Sequence, residues 1–243
     1  MIPVAADPPV RATFTTREGG LDLGASGRAR DHQAVRQSRR ALCEALGIDA
    51  ERVTMGHQVH GATVRRIDAP TRPGRFTGGL SGWPEGDALV TSTPGLVLVV
   101  LGADCLPVLA WRRNGSAVVA AHAGWRGLVD GVVEGAVRAL GDPSRAAAAI
   151  GPGIGPCCYP TSPDVRKRFA DRFGAEVIAG AAVRLARAAR IALRRAGVPD
   201  EAIATVEACT SCDPERFYSY RRDGAGTGRQ AGVIWIEGGG ARG

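Results

Sequence analysis

Short apolar runs, punctuated by polar and glycine-containing stretches, set the pattern of the chain. Val53 to Ile67 reads as extended segments around His60-Gly61, and Ala88 to Thr91 and Leu96 to Leu101 as apolar, β-branched strands. Helical spacing covers 31–46 with Gly47 as its stop, Leu128 to Leu140 with Gly141 as its stop, and Ala175 to Ala196. Ala147 to Ile150 is a short strand that runs into the loop "GPGIGPCCY", and Gly232 to Ile236 is a final strand. Helices and strands mix without the regular alternation of a doubly wound parallel sheet, so the expectation is an α+β fold: one domain over 1–243, with a mixed sheet and flanking helices. The irregular stretch from Pro70 to Gly86 reads as a functional loop rather than a domain boundary.

One segment is more specific than the rest. In "ADCLPVLAWRRNGSAVVAAHAGWRG" (103–127) two apolar runs flank Asn114-Gly115, a strong two-residue hairpin signal, because a type I′ turn needs positive φ at both central positions. Arg113 then faces Ser116 and paired positions sum to 229. Cys105 falls opposite Gly124, with His122 as its diagonal neighbour on the same face and within reach of one shared ion. A thiol and an imidazole brought together in this way suit a nucleophile with its base. They equally suit two zinc ligands awaiting a third; a buried cysteine beside a strand-end histidine is the plain structural alternative.

Composition narrows these choices. The apolar share of 44% and charged share of 23% are ordinary for a globular protein and exclude disordered and fibrous classes. Only four histidines exist. His32 lies near a polar helix start, and His57 and His60, three apart in an extended segment, face opposite sides. His60 precedes a glycine that lets backbone approach a site, and is the expected third ligand, with His57 in reserve. The net charge is +7, and Lys167 is the only lysine among 31 basic residues. Arginine suits phosphate and carboxylate, which keeps anionic small molecules and nucleic acid open. Arg184, Arg187, Arg190 and Arg194 stripe one helical face, but aromatics are 5% of the chain and no nucleic-acid-binding signature appears, so a nucleic-acid partner is not expected. Neither a leader pattern nor a membrane-spanning stretch is seen, which points to a cytoplasmic protein without a membrane partner. The six cysteines are then expected as thiols. Cys209 and Cys212 form a CxxC pair whose context is wrong for a thioredoxin-like motif, no second CxxC completes a zinc ribbon, and the vicinal Cys157 and Cys158 read as loop packing.

The blocks "TFTTREGG" (13–20), "HQVHG" (57–61), "DALVT" (87–91), "ADCLPVL" (103–109), "AAHAGWRG" (120–127), "IGPGIGPCCY" (150–159) and "CTSCDPERFYSYRRDGAGTGRQ" (209–230) run in order across nearly the whole chain. Together they resemble the YfiH-type family, also called the laccase-domain or multicopper polyphenol oxidase family. The resemblance implies an α+β fold related to cysteine-hydrolase-like toxins of the CNF type, and one zinc ion, in preference to copper, on His60, Cys105 and His122. It implies phosphorolysis of adenosine, inosine, guanosine and methylthioadenosine, with adenosine deamination besides, so that purine nucleosides and phosphate are the expected partners. Some members are linked to editing of peptidoglycan precursors, which keeps a Cys-His amide hydrolase, with or without metal, as the alternative. Multicopper chemistry is excluded by supply, because four histidines cannot furnish a blue site and a coupled centre; single-copper polyphenol oxidation is conceivable.

Phosphorolysis needs an anion clamp, and the matching blocks offer Arg126 first, then Arg17, Arg221, Arg222 and Arg229. Asp104, if a turn at Ala103-Asp104 redirects it, and Asp87 are lesser candidates for orienting a ligand. Tyr159-Pro160 and Ser38-Arg39 stand where the family often has Tyr-Glu and Asn-Arg, two departures that bear on substrate specificity.

Overall fold

A computed structural model of the chain describes residues 1–24, 32–71, 73–78 and 82–238. In chain order the strands are β1 (Ile2–Pro3), β2 (Val10–Phe14), β3 (Val53–Met55), β4 (Val64–Arg66), β5 (Ala88–Thr91), β6 (Val97–Gly102), β7 (Leu106–Arg112), β8 (Val118–Ala123), β9 (Ala146–Ile150), β10 (Ile178–Ala179), β11 (Ala182–Val183), β12 (Ile203–Thr205) and β13 (Gln230–Ile236). The helices are α1 (His32–Leu46), α2 (Trp125–Asp130), α3 (Val132–Leu140), α4 (Pro163–Phe173), α5 (Leu185–Arg195) and α6 (Tyr220–Asp223).

Two large sheets face each other. One has the order β1-β2-β13-β6-β3 and the other β12-β9-β7-β8-β5-β4, and both mix parallel with antiparallel pairs. Strand alternation shows why the runs are apolar on both faces. Leu98 and Val100 of β6 point into the layer between the sheets, where they join Leu109 and Trp111 of β7 and Ala147 and Ala149 of β9. Val97 and Val99 point the other way, onto Leu42 and Cys43 of α1. The opposite face of the six-stranded sheet, including Val108 and Val119, carries α2, α3, α4 and α5. Strands covered on both sides lose the clean apolar-polar alternation of a half-exposed sheet. No helix among the described residues is long and apolar enough to cross a membrane.

The α+β expectation holds, with two mixed sheets in place of the one expected. Three local expectations change. The helix expected over Ala175 to Ala196 is confined to Leu185–Arg195, because Gly180 at φ 59° folds β10 back on β11 before the helix begins. The helix expected over Leu128 to Leu140 starts earlier, at Trp125, and is split by Gly131 at φ 89° into α2 and α3. The β7-β8 register is as expected, with Leu106 opposite Ala123 and Trp111 opposite Val118, both pairs summing to 229. Its turn is not type I′. Gly115 N–H donates to the Arg112 carbonyl, Gly115 alone takes positive φ at 71°, and Asn114 accepts from Ser116 N–H through its side chain. A type I turn closed by a left-handed glycine achieves the same register with a longer loop. Strand β2 and helix α4 carried too little periodicity to be anticipated.

Candidate metal centre and cavity

The site is built on the β7-β8 hairpin. His122, near the end of β8, is 3% exposed. Cys105 immediately precedes β7, after Asp104, whose φ of 89° makes the tight turn that the sequence reading required there. Gly124 stands across from Cys105. A Cβ at Gly124 would lie 3.0 Å from Cys105 Sγ and 3.1 Å from His60 Cδ2, so a side chain there would press on two site residues at once.

His60 reaches the same point from the loop between β3 and β4. Its own φ is 63°, an unusual conformation for a residue with a side chain. The positive φ falls on His60 itself rather than on Gly61, and the buried carboxylate of Asp87 holds it there. Asp87 accepts N–H bonds from Val59 (3.1 Å), His60 (3.0 Å) and Gly61 (2.8 Å), and its Oδ1 lies 2.8 Å from His122 Nδ1. One carboxylate thus shapes the loop bearing His60 and orients the ring of His122, leaving His122 Nε2 for the centre. The ligand atoms of His60, Cys105 and His122 all lie within 4.8 Å of one another, and the two imidazoles meet edge to face at 4.8 Å. Two imidazoles and a thiol are the donor set that zinc and copper favour.

The electrostatics bind the group together. Burial pushes the Cys105 thiol up, but the charge and hydrogen bond of His122, with those of His60, outweigh it and bring it down to about 6. Burial pulls His122 down, while Cys105 and Asp87 raise it to about 9. Burial also opposes ionisation of Asp87, yet the hydrogen bonds from His122, Gly61 and Val59 hold it below the usual carboxylate range. Cys105 and His122 thus each favour the charged form of the other.

This group opens into a cavity of about 820 Å³, roomy enough for a small organic substrate. Trp83, Trp125, Tyr159 and Tyr220 supply aromatic lining, and His57, outside the metal-ligand cluster, lines the cavity too. Trp83 Nε1 is buried and has no partner among the described residues. Burial, with the nearby charge of Cys105, pushes the Tyr159 hydroxyl up to about 12.

The five arginines expected to clamp an anion divide. Arg126, Arg221 and Arg229 line the cavity. Arg126 is exposed over the Trp125 ring, and Arg221 lies over the Tyr159 ring at 5.1 Å. Arg229 also donates to the Thr227 and Gly228 carbonyls. Arg17 and Arg222 are not in the lining. Arg17 donates to the Pro214 carbonyl and covers Tyr218, while Arg222 binds Asp223 and the carbonyls of Thr210, Ser211 and Phe217, so both are occupied in holding loops. A fourth lining arginine, Arg39 of the Ser38-Arg39 pair, was not among the expected anion clamps. Its guanidinium is buried on the Leu23 and Phe76 carbonyls, and burial lowers it to about 10. Asp104 turns away from the cluster and accepts from the Thr210 hydroxyl (2.7 Å) and Arg221 N–H (2.6 Å). The orienting role belongs to Asp87 instead. Nothing local distinguished these two aspartates, since both depend on partners dozens of residues away.

Residues 11–237 match the family described as multi-copper polyphenol oxidoreductase laccase. A Pseudomonas aeruginosa protein named purine nucleoside phosphorylase PA4543 is 39% identical, over 94% of this chain and 94% of its own. Escherichia coli purine nucleoside phosphorylase YfiH is 38% identical, over 93% and 94%. The crystal structure of YlmD from Geobacillus stearothermophilus superposes with a TM-score of 0.88 at 31% identity, covering 97% of this chain and 94% of that one. That of the hypothetical protein YfiH from Bacillus licheniformis gives 0.87 at 28% identity, covering 94% and 93%.

Proposed function

The chain belongs to the multi-copper polyphenol oxidoreductase laccase family, and from that premise we propose that it is a zinc-dependent purine nucleoside enzyme of the cytoplasm, a single catalytic domain. In this reading it cleaves adenosine, inosine, guanosine and methylthioadenosine by phosphorolysis and also deaminates adenosine. The observation that carries the reading is the convergence of His60, Cys105 and His122 at a cavity lined by arginines and aromatic rings. The names of the relatives, purine nucleoside phosphorylases at 38 and 39% identity, support it.

The donor set fits a zinc ion with an open fourth position, held by His60, Cys105 and His122. When bound, such an ion supplies a Lewis acid to an oxygen brought against it. The protein's own groups do the rest. Asp87 accepts the Nδ1–H bond of His122, which turns Nε2 toward the centre, and holds His60 in its positive-φ conformation by accepting its backbone N–H. Arg126 and Arg221 offer guanidinium forks to phosphate, whose oxygen attacks the ribose C1′ as the purine leaves with the electron pair of the broken C–N bond. Trp83 and Trp125, both in the lining, offer rings to the purine.

One observation favours a second reading. Cys105 Sγ lies beside the His122 ring, the pairing of a nucleophile with its base that amide hydrolysis of cell-wall precursors would require. A product assay separates the two, using adenosine with and without phosphate and metal-quantified wild type and His122→Ala. The expected products are adenine and ribose 1-phosphate only when phosphate is present, and inosine with ammonia in either case, all lost in His122→Ala. Zinc-loaded wild type that yields no purine product overturns the nucleoside reading.

A further inference from the structure

Four cysteines lie outside the centre already described. Cys157 and Cys158 sit in the loop after β9, and Cys209 and Cys212 in the loop after β12. Strands β9 and β12 are parallel neighbours, with Ile150 opposite Thr205, so the two loops leave the sheet side by side. The pairing continues beyond the strands as a bridge between Gly153 and Cys209, and Thr210 N–H donates to the Gly153 carbonyl at 3.0 Å. Two pairs more than fifty residues apart in the chain are thereby brought to one point. Neither pair is loop packing alone.

All four sulfurs lie within 4.8 Å of one another, with Cys212 Sγ 3.4 Å from Cys157 Sγ and 3.3 Å from Cys158 Sγ. These are not covalent distances, and all four residues are free thiols. A tetrahedral ion with zinc–sulfur bonds of about 2.3 Å separates its ligands by about 3.8 Å, within the range seen here. Two further features suit such an ion. Gly155 N–H donates to Cys209 Sγ at 3.2 Å, and a Cβ at Gly155 would stand 3.3 Å from Cys157 Sγ, so the glycine leaves the cluster room. The Arg222 guanidinium rests on the carbonyls of Thr210 and Ser211, the two residues between Cys209 and Cys212, and fixes the turn that carries the pair.

We propose that Cys157, Cys158, Cys209 and Cys212 form a second zinc site, closed and structural, that staples the loop leading to Tyr159, which lines the cavity, to the loop after β12. Each ligating thiol exchanges its S–H bond for a zinc–sulfur bond and gives its proton to solvent. Four protein sulfurs leave no open position, which separates this site from the three-ligand centre. The staple reaches the cavity through two short paths. Thr210, inside the CxxC turn, donates to Asp104, which adjoins Cys105 and also binds Arg221 N–H; Tyr159, next to Cys158, carries Arg221 over its ring. The inference does not depend on which reaction the cavity performs.

The test is metal content. Protein purified reduced, with zinc supplied, is expected to hold two zinc ions per chain, and His122→Ala one. Adding Cys209→Ser and Cys212→Ser to His122→Ala is expected to remove the remaining ion. Cobalt reconstitution of His122→Ala should show intense sulfur-to-metal charge-transfer absorption that the cysteine substitutions abolish. Should the cysteine variants fail to fold, alkylation of wild type decides: zinc is expected to shield the exposed Cys157 and Cys212 from iodoacetamide, and a chelator to restore labelling. Equal labelling with and without zinc, a His122→Ala protein that binds no stoichiometric metal, or a disulfide between any two of the four in reduced preparations overturns the proposal.

Discussion

At the scale of single residues, Asp87 has the widest reach. Fully buried, it touches one candidate ligand through its side chain and the loop of another through three backbone N–H groups. Asp87→Asn keeps the size but removes the charge, and its amide would aim N–H bonds at groups that already donate. Metal affinity is expected to fall about 10- to 100-fold, measured by competition with a chromophoric chelator. The same substitution has a pH signature in metal-stripped protein. Cys105 is lowered to about 6, so its thiolate persists above that pH and is lost as the pH falls through it. Alkylation of Cys105 should rise with a midpoint near that value in wild type. In Asp87→Asn, His122 loses a source of its raised pKa, holds its proton less firmly, and the midpoint moves upward. Cys43 is the internal control, since burial pushes its thiol up to about 11. An unchanged midpoint in Asp87→Asn would mean that the carboxylate is only a loop tie.

At the scale of elements, the β7-β8 hairpin aligns the centre because a register slip of one residue would turn His122 to the other face. What holds that register differs from the sequence expectation, and the difference is measurable. Gly115 alone takes positive φ, and a Cβ there would overlap the Pro9 ring. Gly115→Ala should cost about 1 to 3 kcal/mol, seen as a lowered urea midpoint with an unchanged slope. Asn114→Ala loses only the bond from Ser116 N–H and should shift the midpoint by less than half as much. Similar effects at the two positions would restore the type I′ turn. Helix α5 carries a parallel lesson about the arginine stripe. Arg190 binds Asp200 and the Ile203 carbonyl, and Arg194 pairs with Asp200 at 3.5 Å, so the C-terminal half of the stripe holds the segment leading into β12.

At the scale of the whole molecule, arginine acts as a clamp on carbonyls more than as a free positive surface. Arg39, Arg52, Arg66, Arg166, Arg190 and Arg222 each donate to backbone oxygens of segments distant from their own strands or helices or closing neighbouring loops. The candidate ligands work similarly, since His60, Cys105 and His122 belong to three segments that an ion would tie together. Adding zinc to metal-stripped wild type should raise the melting temperature. Free zinc at a hundred times its dissociation constant stabilises by about 2.7 kcal/mol. For a chain of this size that corresponds to roughly 5 to 10 °C for each site filled, and His122→Ala should retain only the share of the cysteine cluster. Much of this was legible in the sequence. Apolar runs and the Asn-Gly signal set the hairpin and its register, which carried His122 to Cys105, and the scarcity of histidine left His60 as the choice for the third position. These are short-range matters, decided by side-chain period and turn chemistry between neighbours along the chain. Tertiary structure alone decided the rest. Asp87 rather than Asp104 faces His122, Arg17 and Arg222 bind loops instead of lining the cavity, and the residues around Gly180 form a hairpin in place of a helix. Above all, Cys157 and Cys158 meet Cys209 and Cys212 because β9 and β12 lie parallel in one sheet, more than fifty residues apart in the chain. Such pairings are set by which strands become neighbours, a choice made by the packing of whole layers and carried by no local pattern.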